Sequence, residues 1–237
     1  MNVDVLAVGP HPDDVEVGIG GLIHKLCGQG YAVGILDLTR GELGTRGTVH
    51  ERTQEAENAA AVLGVASRES AELPDGGLAN TQDQRERLIP LLRRFRPKVL
   101  LAPHHSDRHP DHEAAHYLVR DANYLAGLSR IDTGQDPHRT AIVYYYRVYQ
   151  DPAPPDMVVD ISAQFETKQA ALRAYGSQFF NPDYAGKGTY VSSKAFWDYI
   201  RTRAAYWGAR IGVEYGEPLY AEGPLGVERL PGLEETA

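Results

Sequence analysis

Pro10-His11-Pro12-Asp13-Asp14 decides the fold when read with the apolar run Val3 to Val8 before it and the amphipathic stretch Val15 to Gln29 after it. A short apolar run that ends at a turn is the pattern of a buried strand. Val15, Ile19, Leu22, Ile23 and Leu26 recur at the spacing of one apolar helix face. The five residues are therefore a strand-to-helix turn. In an open α/β sheet such turns open onto the crevice at the carboxyl ends of the strands. Pro10 and Pro12 each lock their own φ, so one imidazole and two carboxylates are held in a fixed fan.

Outward from this turn the same alternation continues. Tyr31 to Thr39 reads as a second strand. A glycine-bearing loop, Arg40 to Val49, precedes a helix opened by a Thr48/Glu51 capping box and stopped at Gly64. Arg68 to Ala71 is a poor, short strand, and Leu73 to Asn80 a turn-rich loop. Thr81 and Gln84 open a helix to Phe95, with a kink or interruption expected at Pro90. Lys98 to Ala102 is a strand that runs into Pro103-His104-His105-Ser106-Asp107-Arg108-His109-Pro110-Asp111-His112 and a helix to about Gly127. Ala141 to Tyr149 and Met157 to Ile161 read as strands, joined by a connector at Pro152 to Pro155. Ser162 is placed as the cap of a helix to Tyr175, and Ser193 to Gly212 as a final helix, with the remainder irregular. The alternation predicts one domain over residues 1–237. Its class is α/β, three-layer, with a Rossmann-like, mostly parallel sheet and helices on both faces.

Bulk properties exclude several classes. The net charge of −8 and the lack of a basic run argue against nucleic acid. Cys27 is the single cysteine, which fits a reducing cytoplasm. No leader is read before the first strand, and no apolar run approaches the ~20 residues of a membrane span, so a cytoplasmic protein without a membrane partner is expected. Gly9-Pro10-His11 is not the Gly-x-Gly-x-x-Gly loop of a dinucleotide site.

The chemistry lies in the two histidine clusters, each at a strand's carboxyl end. His11 and Asp14 come from one turn and His112 from the other. Two imidazoles and a carboxylate form a catalytic zinc set with a position left for water. Asp13 lies between the first-turn ligands, placed to accept that water's proton. His109, three residues before His112 with Asp111 between, can protonate a leaving group or stabilise an oxyanion. The structural alternative makes Asp13 or Asp14 a helix cap. Arg52 and Glu55, three apart, read either as a site pair or as a surface ion pair. Gly18, Gly20 and Gly21 indicate ligand contact or tight packing in equal measure. His116 is read as a spectator, His24 and Cys27 as packed against a helix face, and His50 and His138 as solvated.

These motifs resemble the zinc-dependent LmbE-like (PIG-L) N-acetylglucosamine deacetylases. The resemblance rests on Pro10 to Asp14 with Glu16, Gly18, Gly20 and Gly21, and on Asp107 to His112. It extends to Thr45-Arg46-Gly47-Thr48 with Arg52 and Glu55, to Asp160-Ile161-Ser162, to Tyr175 with Ser177-Gln178, and to Gly212-Val213-Glu214-Tyr215. The last groups resemble the bacillithiol-biosynthesis branch, which implies N-acetyl-α-D-glucosaminyl L-malate as substrate. The resemblance implies Zn2+ on His11, Asp14 and His112, Asp13 as general base, and His109 as acid or oxyanion partner oriented by Asp111. It further implies Arg52 as the grip on the substrate's polar arm, a C-terminal tyrosine with Tyr190 as candidate, and a homo-oligomer such as a hexamer. His104 and His105 stand where many relatives carry aromatics, which bears on the sugar pocket. The expected activity is hydrolysis of an N-acetyl group with release of acetate. The rivals are a non-catalytic carbohydrate-binding module with a structural metal, and an esterase.

Overall fold

The computed structural model describes residues 2–149, 151 and 154–226; Pro152 and Ala153 of the expected connector and residues 227–237 of the expected irregular tail lie outside these. Val5–Gly9 forms β1, buried along its whole length. It is flanked by β2 (Val33–Asp37) and β4 (Val99–Pro103), and outside these lie β3 (Ser67–Ser70) and β5 (Ile142–Tyr146). All four pairings are parallel, in the order β3-β2-β1-β4-β5. A strand buried on both faces reads as a continuous apolar run, which is why Val3 to Val8 was legible. The strand order reverses between β1 and β4, so their carboxyl ends open the switch-point crevice of a doubly wound sheet.

Helices cover both faces. On one side α3 (Gln82–Phe95) packs on α4 (Pro110–Ala126), and Leu88, Leu92 and Phe95 join Leu6, Val8, Leu100, Leu118 and Val119 in a buried cluster. On the other side α1 (Asp14–Gly28), α2 (Val49–Leu63), α5 (Phe165–Arg173) and α6 (Lys194–Arg210) enclose Ala7, Val15, Ile23, Ile35, Leu172 and Phe196. The three-layer α/β class is therefore the observed one.

Three expectations are corrected in whole or in part. Of the kink or interruption expected at Pro90, the interruption is absent: one helix runs over Gln82–Phe95. The carbonyl that a helix-interior proline leaves free is that of Glu86, an exposed residue, so the lost bond falls on the solvent side of the helix. Ser162 does not cap an α-helix: it bonds Asp160 Oδ1 through N and Oγ, a 3-10 turn follows, and α5 starts at Phe165. Gly216–Leu219 is not irregular. It is β7, antiparallel to β6 (Met157–Asp160) in a separate two-stranded ribbon. The Thr48/Glu51 capping box forms as expected, with Glu51 N–H donating to Thr48 Oγ1 at 3.1 Å.

Gly18 and Gly21 of α1 serve packing. A Cβ at Gly18 would fall 2.3 Å from Tyr146 Cδ2, and one at Gly21 2.7 Å from Ile161 Cδ1. The Tyr146 ring cannot retreat freely, because its hydroxyl donates to Val8 O at 2.8 Å in β1. Gly18→Ala is expected to destabilise the fold by about 1–3 kcal/mol, the usual cost of overpacking, despite alanine's better helix propensity. Urea denaturation checks this; an unchanged midpoint would show that Tyr146 repacks without cost.

Candidate metal centre and active site

β1 ends at Gly9 and delivers His11, Asp13 and Asp14; β4 ends at Pro103 and delivers Asp107, His109, Asp111 and His112. Their strands are neighbours, so the two clusters meet. Asp14 Oδ2 lies 3.0 Å from His11 Nδ1 and 3.1 Å from His112 Nε2, and it also accepts the His11 backbone N–H at 2.9 Å. The other nitrogen of His11, Nε2, lies 3.1 Å from both Asp111 Oδ2 and Asp75 Oδ1. His112 Nδ1 faces Asp107 Oδ2 at 3.4 Å. His11, His109 and His112 bring a ring nitrogen each within 4.8 Å of one another.

This donor set fits a divalent metal. Both nitrogens of His112 are buried without a hydrogen bond, Nε2 beside Asp14 Oδ2 and Nδ1 beside Asp107 Oδ2. An orphaned imidazole nitrogen facing a shared carboxylate oxygen is what a three-ligand site presents. Asp111 and Asp75 on the far nitrogen of His11 fix that ring's orientation.

Asp13 is the residue before α1 and has φ 111°, ψ −25°. A non-glycine residue there is strained, and such strain gathers at functional sites. Its side chain makes no cap hydrogen bond, so it is not the structural helix cap of the bland reading. Its carboxylate instead lines a cavity of about 400 Å³ together with His11, Asp14 and His109. A cavity of about 810 Å³ lies elsewhere, between the 154–158 segment and α6, and there Asp151 already accepts from Arg203, Trp207 and Tyr220.

Comparison with known proteins agrees with this geometry. Residues 6–123 match the family "PIG-L: GlcNAc-PI de-N-acetylase". The "Diacetylchitobiose deacetylase" of Thermococcus kodakarensis is 34% identical over 97% of this chain and 84% of its own. The chain belongs to the PIG-L family. A conserved protein of Thermus thermophilus superposes with a TM-score of 0.87 at 39% identity, covering 98% of this chain and all of its own. The "Probable N-acetyl-alpha-D-glucosaminyl L-malate deacetylase 2" of Bacillus cereus is 28% identical over 75% of this chain and 84% of its own. The PIG-L chain is thus an N-deacetylase, a hydrolase.

Several PIG-L residues do other work than their sequence positions implied. The Asp111 carboxylate does not reach His109; it holds His11 and accepts Gly76 N–H at 2.8 Å and Leu78 N–H at 3.3 Å. It is the Asp111 backbone N–H that meets His109, donating to Nδ1 at 3.2 Å. Arg52 is buried and makes no ion pair with Glu55. Its guanidinium donates to Gly41 O at 3.0 Å and Pro12 O at 2.7 Å, and lies 3.4 Å from Asp13 Oδ2. Glu55 instead accepts Ser177 N–H and Oγ–H, both at 2.6 Å. Tyr190 is half exposed on the cavity wall, with the Arg108 guanidinium 4.6 Å above its ring and 4.3 Å above that of Tyr149. His104 and His105 do not line the cavity; His104 packs on Tyr220 and His116, and His116 Nδ1 bonds Pro103 O at 3.0 Å. Asp75 and Asp107 went unread in the sequence. Asp107 stands inside the second motif, but Asp75 sits in a glycine-rich loop with no local signal.

The electrostatics favour a cation. Burial pulls His11 down, but hydrogen bonds to Asp111, Asp14 and Asp75 outweigh it and push it up to about 12. Burial likewise opposes His112, while Asp14 and Asp107 carry it up to about 9. The carboxylates that stabilise these imidazolium protons would stabilise a metal in their place. A metal must therefore displace protons from both rings. Its affinity is expected to rise with pH, by about a hundredfold per unit between pH 6 and 8, one decade for each of the two protons displaced. Chelator competition across that range measures it, and a pH-independent affinity would show that both rings are already neutral.

Proposed function

We propose that this chain is a zinc-dependent deacetylase of an N-acetylglucosamine conjugate, acting as a single catalytic domain in the cytoplasm. The observation that carries the reading is Asp14 Oδ2 between His11 Nδ1 and His112 Nε2, with the Asp13 carboxylate beside them in the cavity. His11, Asp14 and His112 hold the metal. When bound, the cation polarises the acetyl carbonyl and acidifies a water. Asp13 takes the proton of the attacking water. Burial pushes Asp13 up to about 7, against the pull of the Arg52 guanidinium and with the push of Asp14, which suits a base working near neutral pH. Arg52 ties Asp13 to the carbonyls of Pro12 and Gly41, and so holds its turn. His109 accepts the Asp111 N–H at Nδ1, which leaves Nε2 as the protonated nitrogen of the neutral ring. That N–H faces the developing oxyanion or the leaving nitrogen. The C–N bond breaks, the new C–O bond yields acetate, and the proton taken by Asp13 passes to the amine.

The finer substrate reading is the anionic N-acetyl-α-D-glucosaminyl L-malate of bacillithiol biosynthesis. Arg46 and Arg108 support it: both line the cavity, and neither has a carboxylate partner among the described residues. Arg46 Nη2 is buried without a hydrogen bond. A guanidinium fork suits a carboxylate. The neutral rival is a diacetylchitobiose-like disaccharide, supported by the 34% identical Thermococcus relative. Tyr190, beneath Arg108, belongs to the wall that meets the aglycone, and a homo-oligomer, a hexamer by family resemblance, is the proposed assembly.

Acetate release from N-acetylglucosaminyl malate, diacetylchitobiose, free N-acetylglucosamine and a simple ester decides among these substrates. Asp13→Asn is expected to keep its metal while kcat falls by about 10²–10⁴, the range for loss of a general base. Asp14→Asn should lose metal and regain part of its activity in added zinc. Near-normal turnover in Asp13→Asn, with metal retained, would overturn the assigned roles.

A further inference from the structure

Helix α1 is broken behind the candidate metal centre. Ile19 has φ −142° and ψ 22°, outside the helical region, so α1 consists of a short segment from Asp14 to Gly18 and a longer one after the break. In an unbroken helix Gly21 N–H would pair with Val17 O, and Leu22 N–H with Gly18 O. Here Gly21 N–H donates to Glu217 Oε1 at 3.0 Å and Leu22 N–H to Glu217 Oε2 at 2.6 Å. Val17 O accepts from Lys168 Nζ at 2.8 Å. Lys168 and Glu217 pair with each other at 2.5 Å, and both side chains are almost wholly buried. One ion pair thus serves both sides of the break. Its anion caps the two free N–H groups and its cation caps one of the freed carbonyls, Val17 O.

Stability alone does not account for such a pair. A buried ion pair costs much desolvation, and apolar residues of similar volume are often as stable. Its partners here are backbone groups that would otherwise be buried unbonded. The short segment it fixes carries Asp14, whose Oδ2 meets His11 and His112. It also carries Glu16, whose Oε1 takes Arg68 Nη1 at 2.5 Å and the Tyr175 hydroxyl at 3.0 Å. The tilt of this segment sets where the Asp14 carboxylate falls.

We propose that Lys168 of α5 and Glu217 of β7 are positioning residues for the metal centre, holding the α1 break at the angle that places Asp14 between the two imidazoles. This rests on the metal assignment proposed above. Zinc affinity of the apo-protein, by competition with a chromophoric chelator, tests it. Lys168→Met/Glu217→Gln removes both charges together, and Glu217→Asp keeps the charge while drawing the carboxylate back from Gly21 and Leu22. Phe95→Leu, in the opposite core layer, controls for general destabilisation.

Zinc affinity is expected to fall about 10- to 100-fold in the double variant, the range seen when support of metal ligands is lost. A smaller loss is expected in Glu217→Asp, and Phe95→Leu should bind as wild type. Faster amide exchange at Gly21 and Leu22 should accompany the loss. Wild-type zinc affinity in folded Glu217→Asp and in the double variant would overturn the proposal. If the double variant does not fold, Glu217→Asp alone decides. Wild-type protein that takes up no metal would instead overturn the metal assignment itself.

Discussion

One oxygen organises this molecule. Asp14 Oδ2 meets a backbone N–H and two imidazoles that belong to different strand ends. Holding it costs the fold much: burial opposes its charge, and His112 and His11 must draw its carboxyl far below the usual range to keep it ionised. Everything near it is arranged to that end. The parallel pairing of β1 with β4 brings the two turns together. Asp107, Asp111 and Asp75 then anchor the rings from behind. Arg52 ties the turn after β1, at Pro12 O, to the loop after β2, at Gly41 O.

Behind this lies a second charged layer. Arg68 donates to Asp37 at 2.7 and 2.9 Å and to Glu16 at 2.5 Å, and all three are largely buried. Asp37 ends β2 and Arg68 belongs to β3, so the ions tie the carboxyl edge of the sheet to α1. Asp14, Glu16 and Asp37 thus place three buried carboxylates at the catalytic end of the sheet. Arg46 and Arg108 stand on the cavity wall. The contrast sets a carboxylate-rich floor against a wall that carries guanidinium groups.

How far the sequence revealed this depends on range. Val3 to Val8, the Thr48/Glu51 box and the two histidine motifs are local patterns, and each became the element its spacing implied. The meeting of the motifs was legible too, because strand ends share a crevice in this class of fold. What escaped required partners distant in the chain. β7 has no periodicity of its own and exists by pairing with β6. The break at Ile19 is stabilised by residues from two other elements. Asp75 and Asp107 meet the imidazole rings only after folding. Asp111 sits beside His109 in sequence, yet its carboxylate turns to His11 and leaves only its amide to its neighbour. Asp13 takes a positive φ that side-chain identity does not announce.

The separation of the two motifs bears on how the protein is made. His11 and Asp111 lie 100 positions apart, and β1 must pair with β4 across a stretch that includes β2 and β3. Contacts of such high order form slowly, because loop closure is paid before they reward it. The donor set is consequently incomplete in any N-terminal fragment that stops short of His112. Metal cannot nucleate this chain as it nucleates a zinc finger. A metal held there would join protein that has already folded and would add stability by mass action, growing with the logarithm of its free concentration.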